Sequence, residues 1–294
     1  MREIASLYGG LDLGEAPRLT AKGELWFSDA FGGGIYRRSS IGAVQKYHSD
    51  LMMVAGLALN DSGEVIVASL EGLLALTPGS GKTRNLGLML DGKKLADVND
   101  IEADRHGNIY GGVIDRVGMA NGLPIREWAV GKLFRVDTDG GCTLVGELRN
   151  PNGMAFSLDD RILYVVESGH GVWAYDVGQD GSLRNKALFA LIDGSGDSGD
   201  GCDGLTVDAE GNVLVCCVAT SEIRTFGADG TLKARLKLPV RPTSLEFGGD
   251  DLMDLYVSTG ELQDKGRGEI LLFRTDIPGR KSHDAKLKID RFIG

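Results

Sequence analysis

Six positions in the chain, separated by 40, 44, 53, 51 and 40 residues, include four whose side chains offer a carboxylate or amide oxygen. They are Glu15, Ala55, Asn99, Asn152, Asp203 and Thr243. Oxygen donors without Cys or His suit Ca²⁺ or Mg²⁺ and tolerate Mn²⁺ or Zn²⁺. If the fold brings Glu15, Asn152 and Asp203 together, two carboxylates balance one divalent cation, and Asn99 lies nearby. Open positions would remain for water and substrate, so such a site serves catalysis as readily as structure.

Each of these residues opens a repeat that predicts a β-hairpin. A short alternating strand leads to a turn residue eight positions after the first residue, and a second apolar strand follows. A pair such as Asp203-Gly204 normally marks a turn by itself. Because each repeat already has its turn eight residues later, turn chemistry does not explain the leading Asn or Asp. The turn residues are Gly23, Gly63, Gly107, Asp160, Gly211 and Asp251.

The repeats predict an all-β fold, a single six-bladed β-propeller domain over residues 1–294. A further apolar run follows each hairpin, and a period of roughly 40 to 50 residues with about four strands per unit is typical of propeller blades. No long stretch has the 3.6-residue periodicity of a helix. We expect the residues before Glu15 to complete the last blade. The leading strand of each blade should line the central channel, which places the metal site at one mouth of that channel.

The composition limits the partners and the compartment. The 44 Gly among 294 residues are about twice the average usage of roughly 7%, which indicates many tight turns. A net charge of −10 argues against nucleic acid or an anionic membrane surface as a partner. Because no segment resembles a signal peptide or a membrane span, we predict a cytoplasmic protein. The cysteines should be reduced and buried, with Cys216 and Cys217 on opposite faces of one strand.

Five motifs lie in order along nearly the whole chain. They are LGEAPR at 13–18, NDIEADRHGNIYGG from Asn99, NPNGMAFSLDDRILYVVES at 150–168, GCDGLTVDAEGNVLV at 201–215 and LPVRPTSLEFGGDDLMDLYVST at 238–259. As a set they resemble the gluconolactonase family that includes senescence marker protein 30 (regucalcin), six-bladed propellers with one divalent metal on the channel axis. The resemblance implies a lactonase whose metal is held by Glu15, Asn152 and Asp203. Ca²⁺ is the metal expected first, with Zn²⁺, Mn²⁺ or Mg²⁺ as alternatives.

The resemblance also implies contacts with the substrate. Asn99 and Glu127 correspond to residues that contact the substrate in sugar-lactone members of the family. Asp97 takes a place where those members often carry an Arg, and an acceptor there in place of a cation changes what the pocket can bind. Ala16 and Leu19 also depart from the family pattern Glu-Gly-Pro-x-Trp. The choice of a gluconate-like substrate therefore stays open.

The resulting hypothesis is a metal-dependent hydrolase that opens a sugar lactone or a related small cyclic ester. The metal polarises the carbonyl, and a water with a lowered pKa loses its proton to Asp203, the general base, as it attacks. Two alternatives remain: the same site acting on an apolar lactone or a phosphotriester, and a non-catalytic propeller that binds a metal or ligand. Residues 112–130 are predicted to form a lid, and residues 193–201 a loop near the channel mouth.

Overall fold

The computed structural model describes residues 1–47, 53–192, 201–261 and 264–292, and it contains six four-stranded antiparallel sheets that follow one another along the chain. Strand β1 (Arg2–Leu11) precedes the first repeat. The first two sheets consist of β2 (Gly14–Leu19), β3 (Leu25–Asp29), β4 (Gly34–Arg38) and β5 (Val44–Tyr47), and of β6 (Leu57–Leu59), β7 (Val65–Ser69), β8 (Gly72–Thr77) and β9 (Lys82–Asn85). A small hairpin follows, with β10 (Met89–Leu90) and β11 (Lys93–Lys94).

The remaining four sheets repeat this arrangement. The third and fourth consist of β12 (Val98–Ala103), β13 (Ile109–Val113), β14 (Gly131–Val136) and β15 (Cys142–Leu148), and of β16 (Pro151–Phe156), β17 (Ile162–Glu167), β18 (Gly171–Val177) and β19 (Leu183–Leu191). The fifth consists of β20 (Cys202–Val207), β21 (Val213–Cys217), β22 (Glu222–Phe226) and β23 (Leu232–Lys237). The sixth contains β24 (Pro242–Gly248), β25 (Asp254–Thr259) and β26 (Gly268–Arg274).

The first strands of the six sheets contact one another in a closed ring. Strand β2 contacts β6, and the contacts continue through β12, β16, β20 and β24 back to β2. Each sheet is therefore one blade around a central channel, which confirms the predicted six-bladed β-propeller. Strand β1 pairs antiparallel with β26, from Arg2 opposite Arg274 to Leu11 opposite Gly268. The residues before Glu15 thus complete the last blade, as predicted, and tie the two ends of the ring together.

The hairpin turns lie where the repeat predicted them. Gly23, Gly63, Gly107 and Gly211 have positive φ angles between 73° and 100°, which glycine adopts without strain, and Asp160 has φ 58°. In the sixth blade Asp251 lies in the turn, as predicted, and the left-handed residues there are Gly249, with φ 80°, and Leu252, with φ 56°. The turn of this blade is one residue longer than in the other blades.

The hydrophobic core lies between neighbouring blades, because each blade is covered on both faces by the blades beside it. Cys216 and Cys217 show this directly, since one packs with Leu245 and Phe247 of the sixth blade and the other with residues of the fourth. All four cysteines are free thiols, three of them buried. The prediction of buried thiols is therefore confirmed for Cys202, Cys216 and Cys217, while Cys142 is partly exposed.

The C-terminal segment, residues 275–292, runs across the face of the molecule where the hairpin turns lie. Ala285 bridges Asn60, Gly279 bridges Asp208, and the side chain of Arg280 pairs with Asp160. Helices are short: within the described ranges the one α-helix, α1, covers Arg116–Ala120. In that same part of the chain, no helix has the length and apolar character needed to cross a membrane.

Candidate functional site

The ring positions lie at the start of each inner strand, and hydrogen bonds tie them to the neighbouring blade. The backbone N–H of Gly56 donates to the carbonyl of Asn99 at 2.9 Å, and the Asn99 side chain donates to the carbonyl of Pro151 at 3.3 Å. Thr243 donates its hydroxyl to the carbonyl of Gly14, which closes the ring. The six leading residues therefore lie at one level of the channel.

Glycine directly after the ring position allows these strands to approach one another. A Cβ on Gly153 would lie 2.5 Å from the Cα of Gly204, and a Cβ on Gly204 would lie 2.6 Å from the Cα of Ser244. Both distances are far shorter than van der Waals contact. Gly204 is therefore required by the packing of the inner strands, and Asp203 is held at the channel mouth instead of forming a turn.

Three carboxylates converge at this level, one more than the sequence analysis identified. Burial raises the pKa of Glu15 well above its ordinary value, and the nearby carboxylates of Asp203 and Asp100 raise it further. Burial followed by the charge of Asp100 likewise raises the pKa of Asp203. Each carboxylate therefore disfavours ionisation of the others, and a positive charge placed among them would be stabilised.

Asn152 lies on β16, the inner strand of the fourth blade, beside Asp203. Its amide nitrogen donates to the hydroxyl of Ser168 at 3.2 Å, and that hydroxyl donates to the carbonyl of Cys202 at 2.7 Å. The Asn152 side chain also hydrogen-bonds Asp203. Since the nitrogen is used in donation, the amide oxygen of Asn152 remains as an acceptor for a ligand.

The donor set fits a hard divalent cation. No three Asp, Glu, His or Cys side chains within the described ranges are grouped so that they could hold a metal by themselves. A cation here would need an amide oxygen beside the carboxylates, and Asn152 supplies one. Glu15, Asn152 and Asp203 are all partly accessible although they lie at the centre of the molecule. They could therefore take up an ion from the channel mouth.

Asp100 is the site residue that the sequence analysis missed. It occupies the position after the ring residue, where the other five blades carry Ala16, Gly56, Gly153, Gly204 and Ser244. These are small because the inner strands pack closely there. A carboxylate among five small residues is the signal that could have identified Asp100, had the second position of each repeat been compared as the first was.

A second polar layer lies three residues deeper in the channel. Arg18 donates to Glu102 at 3.3 Å and lies 3.6 Å from Glu246, and both carboxylates are almost fully buried. The Glu246 carboxylate also accepts a hydrogen bond from Ser282 of the C-terminal segment. A cavity of 370 Å³ opens beyond this layer on the turn face. Arg18 thus balances one of the two carboxylates that face it, and Lys281 also lines the cavity.

Replacing Glu102 by Gln is expected to stabilise the protein increasingly as the pH rises. Burial raises the pKa of Glu102 from 4.5 to about 8, against the opposing effect of Arg18. The folded protein therefore keeps a proton that the unfolded chain releases, and the associated stability is lost as the pH rises through 8. Gln stays neutral, so between pH 6 and 9 E102Q should gain about 3 kcal/mol of stability relative to wild type, a rise of roughly 5–10 °C in relative melting temperature.

Thermal unfolding at a series of pH values measures this effect. Glu147→Gln, at an exposed position on β15, is the matched control for the loss of a carboxylate. A difference between E102Q and wild type that does not change with pH would contradict the prediction.

A cavity of 140 Å³ opens at the ring end of the channel. Its walls include Asn152, Asp203 and Thr243 of the inner strands, Ser168 directly after β17, and the apolar side chains of Ile125 and Trp128. The volume suits a small ring compound better than a large ligand. A substrate that contacts the ring residues Asn152 and Asp203 would bind in this cavity.

The three residues predicted to contact the substrate, Asn99, Asp97 and Glu127, lie in different places relative to the ring. Asn99 lies on the ring, with its amide fixed by the Pro151 carbonyl. Asp97 has φ 57° and forms an ion pair with Arg116 of α1 at 3.0 Å. Glu127 is half exposed and lies near Arg126, while its neighbours Ile125 and Trp128 line the cavity. The structure therefore brings Asn99 to the site, directs Asp97 to the insertion, and leaves Glu127 towards solvent.

The predicted lid is an ordered insertion between β13 and β14. Trp128 and Ile125 pack with Met53 and Ile114, and Asp115 accepts the backbone N–H of Ala129 at 2.8 Å, which joins the two ends of the insertion. The predicted loop at residues 193–201 lies outside the described residues except for Gly201. The lid thus contributes apolar surface to one wall of the cavity.

Replacing Arg149 by Ala is expected to loosen this lid. The guanidinium of Arg149 donates to the carbonyls of Arg126 at 2.8 Å and Trp128 at 2.6 Å. Losing these bonds should cost about 1.4 kcal/mol, so amide hydrogen exchange of residues 115–130 should quicken about tenfold. Hydrogen exchange measured by mass spectrometry tests this, with the exposed Arg161→Ala in the same blade as the control. Unchanged exchange in residues 115–130 would contradict it.

Comparisons with known proteins give relatives of this chain and structures that share its fold. A family model described as the SMP-30/gluconolactonase/LRE-like region matches residues 13–261. Pentonolactonase XacC of Haloferax volcanii is 27% identical over 240 residues, which cover 80% of this chain and 77% of that protein. The 6-deoxy-6-sulfogluconolactonase of Pseudomonas putida is 25% identical over 283 residues, which cover 91% and 92%. The structure of a calcium-binding protein, regucalcin, from Agrobacterium tumefaciens strain C58 has the same fold, with a TM-score of 0.80, 19% identity and 98% of each chain covered.

Proposed function

The chain belongs to the SMP-30/gluconolactonase/LRE-like family, and we propose that it is a divalent-metal-dependent hydrolase that opens a small lactone. The observation that carries this proposal is a group of mutually repelling carboxylates, of which Asp203 lines a small cavity together with Asn152. Two relatives that match most of the chain are named as lactonases. Both names denote sugar lactones, which makes a sugar lactone the first substrate class to test.

Glu15, Asn152 and Asp203 would hold the cation, with Ca²⁺ as the first choice because every donor is a hard oxygen. Asp100 supplies further negative charge close to Glu15 and Asp203. A divalent cation bound there supplies Lewis acidity, which polarises a lactone carbonyl and stabilises the charge that develops on its oxygen. Asn99 would contact the substrate, since its amide is already oriented by the Pro151 carbonyl.

Asp203 would act as the general base. Its carboxylate accepts a proton from water while the water oxygen bonds to the carbonyl carbon of the lactone. The ring C–O bond then breaks, and the leaving oxygen takes that proton, so the product is a hydroxy acid. Asn152 donates a hydrogen bond to Asp203 and keeps the carboxylate oriented during this transfer. Trp128 and Ile125 of the lid exclude water from one side of the cavity.

The experiment is a substrate panel followed by proton release. The panel contains pentono- and hexonolactones, alkyl γ- and δ-lactones and one phosphotriester, each with the protein before and after chelation and after Ca²⁺, Mg²⁺, Mn²⁺ or Zn²⁺ is restored. We expect a sugar lactone to be hydrolysed with kcat/KM of about 10⁴ M⁻¹s⁻¹ or more. This activity should disappear on chelation and return with at least one of the cations.

Each of the other outcomes would indicate a different mechanism, substrate or function. Hydrolysis that persists after chelation would remove the metal from the mechanism. Turnover of the phosphotriester or of the alkyl lactones, without sugar lactones, would assign the same site to another ester. Cation binding without any hydrolysis would leave a binding propeller and contradict the enzyme.

A further inference from the structure

A second set of equivalent positions lies two residues before each ring position, and we call it the rim. Its members are Leu13, Met53, Asp97, Asn150, Gly201 and Arg241. Alternate residues of an extended strand point to the same side, so the rim and ring residues of one blade can face the same space. Asn150 and Asn152 do so, since both line the 140 Å³ cavity. The rim is therefore a second source of side chains for a bound substrate.

Asn150 differs from the two other polar residues of the rim, which both pair with charged side chains. Asp97 lies 3.0 Å from the Nε of Arg116, and the Nε of Arg241 lies 3.5 Å from a carboxylate oxygen of Glu261. The side chain of Asn150 forms no hydrogen bond with the described parts of the chain, and its Oδ1 atom is buried. Asn150 is thus the polar rim residue whose hydrogen bonds the fold leaves open.

An unpaired amide at this depth is unfavourable. Asn150 is 6% exposed, and a buried polar group without a partner loses the hydrogen bonds that water provides in the unfolded chain. The other buried Asn residues of the described ranges all donate to partners within the fold; they are Asn60, Asn108 and Asn212. Since the fold satisfies those three amides, the unpaired amide of Asn150 indicates a partner that enters from the cavity.

The backbone around Asn150 is fixed on both sides. Its own carbonyl accepts the N–H of Ser168 at 3.1 Å, and the carbonyl of Pro151 accepts the side chain of Asn99 at 3.3 Å. Arg149, which precedes it, donates to two carbonyls of the lid. Rotation about the Cβ–Cγ bond exchanges the amide oxygen and nitrogen, so the side chain can offer a ligand an acceptor or a donor. Little further ordering is needed when a ligand binds.

The other neutral polar side chains on the cavity walls already have partners or a proposed role. The hydroxyl of Ser168 donates to a backbone carbonyl and accepts from Asn152, and the hydroxyl of Thr243 donates to another backbone carbonyl. Asn152 would hold the cation together with Asp203. Among the described residues that line the cavity, Asn150 is therefore the neutral side chain best able to bind the substituents of a substrate.

We propose that Asn150 binds a hydroxyl group of the lactone and selects hydroxylated lactones over lactones that lack this group. A hydroxyl can both donate to and accept from an amide, so it satisfies Asn150 in either orientation. This inference rests on the proposed lactonase function and adds a residue that determines its specificity. A lactone without the hydroxyl would leave the amide unpaired, and sites of this kind discriminate against such a substrate.

The test compares lactones that differ by one hydroxyl group, γ-butyrolactone and its α-hydroxy and β-hydroxy derivatives. Wild-type protein with its cation should show kcat/KM about tenfold higher for one of the hydroxylactones than for γ-butyrolactone. Asn150→Leu keeps a similar shape and removes the amide. It should lower kcat/KM for the preferred hydroxylactone about tenfold and for γ-butyrolactone less than about twofold.

Asn212→Leu is the matched control, because it also removes a buried amide, and this amide donates to Asp208 at 2.7 Å at the hairpin turn of the fifth blade. N212L should lower the melting temperature, since Asp208 loses a hydrogen bond, and should keep the wild-type preference for the hydroxylactone. N150L should not lower the melting temperature, since it removes an amide without a partner. The cation affinity of N150L, measured by calorimetry, should stay within about threefold of wild type.

Binding of γ-lactams keeps this inference separate from hydrolysis, because a ring nitrogen in place of the ring oxygen makes the amide resistant to water. In titrations followed by NMR, wild type should bind a hydroxylated γ-butyrolactam about tenfold more tightly than γ-butyrolactam, and N150L should bind the two equally. That result would support the role of Asn150 even if no lactone were hydrolysed. No preference for the hydroxyl in wild type, equal losses of N150L on both kinds of compound, or a loss of stability like that of N212L would overturn the proposal.

Discussion

Replacing Asp203 by Asn is expected to lower kcat for lactone hydrolysis by about 10³-fold, because an amide cannot accept the proton of the attacking water. Asn has the same shape, and Gly204 would still allow the inner strands to pack. Burial and then the charge of Asp100 raise the pKa of Asp203, which opposes the lowering that a cation bound beside this carboxylate would cause. Steady-state kinetics and metal content should be measured on the same preparation.

Metal content separates the two roles proposed for Asp203. A general base predicts loss of turnover in D203N even when excess cation restores full metal content. Recovery of activity with excess cation would leave Asp203 as a ligand alone, and unchanged turnover with retained metal would remove it from the mechanism. Asp176→Asn, at an exposed position on β18, is the matched control.

Replacing Glu15 by Gln is expected to change stability in opposite directions with and without the cation. Without it, the variant should melt at a higher temperature than wild type, since one of three buried, mutually repelling carboxylates is removed. With cation at 1,000 times the wild-type Kd, linkage stabilises wild type by about 4.1 kcal/mol. If losing the Glu15 carboxylate weakens cation binding about 100-fold, E15Q loses about 2.7 kcal/mol of that cation-dependent stabilisation.

Thermal unfolding over a cation titration measures both effects in one experiment. Glu147→Gln, which lies far from the ring on an outer strand, should leave the cation-dependent shift unchanged. If E15Q melts at a lower temperature without cation, Glu15 has a structural role instead. If its cation-dependent shift equals that of wild type, Glu15 is not a ligand.

The regular parts of this fold could be predicted because their causes are local. Alternating apolar residues define each strand, and a residue with positive φ, Gly23, Asp160 or Gly211, closes the hairpin at a fixed distance from Glu15, Asn152 or Asp203. A repeated local pattern also fixes the register, so residues far apart in the chain were correctly placed at one level. In the sixth blade the turn gained one residue, so Asp251 lies inside the turn and the left-handed Leu252 ends it.

Other parts of the site depend on contacts between blades and could not be predicted in the same way. Asp100 matters because the packing of inner strands brings it towards Glu15 and Asp203. Arg18 matters because it meets Glu102 and Glu246, which come from two other blades. Each of these residues has a regular position in its own repeat, but no local sequence pattern specifies which residues of other blades it will contact.

The sequence by itself determined the six blades, their hairpins and the ring of oxygen donors, because period-2 alternation and glycine turns act within a few residues. Only the tertiary structure decided what surrounds that ring. The insertion directs Asp97 towards Arg116 and leaves Glu127 half exposed, while Arg241 reaches the cavity from the junction of the last and first blades. These placements follow from how loops pack over a closed ring, and that packing depends on residues distant in the sequence.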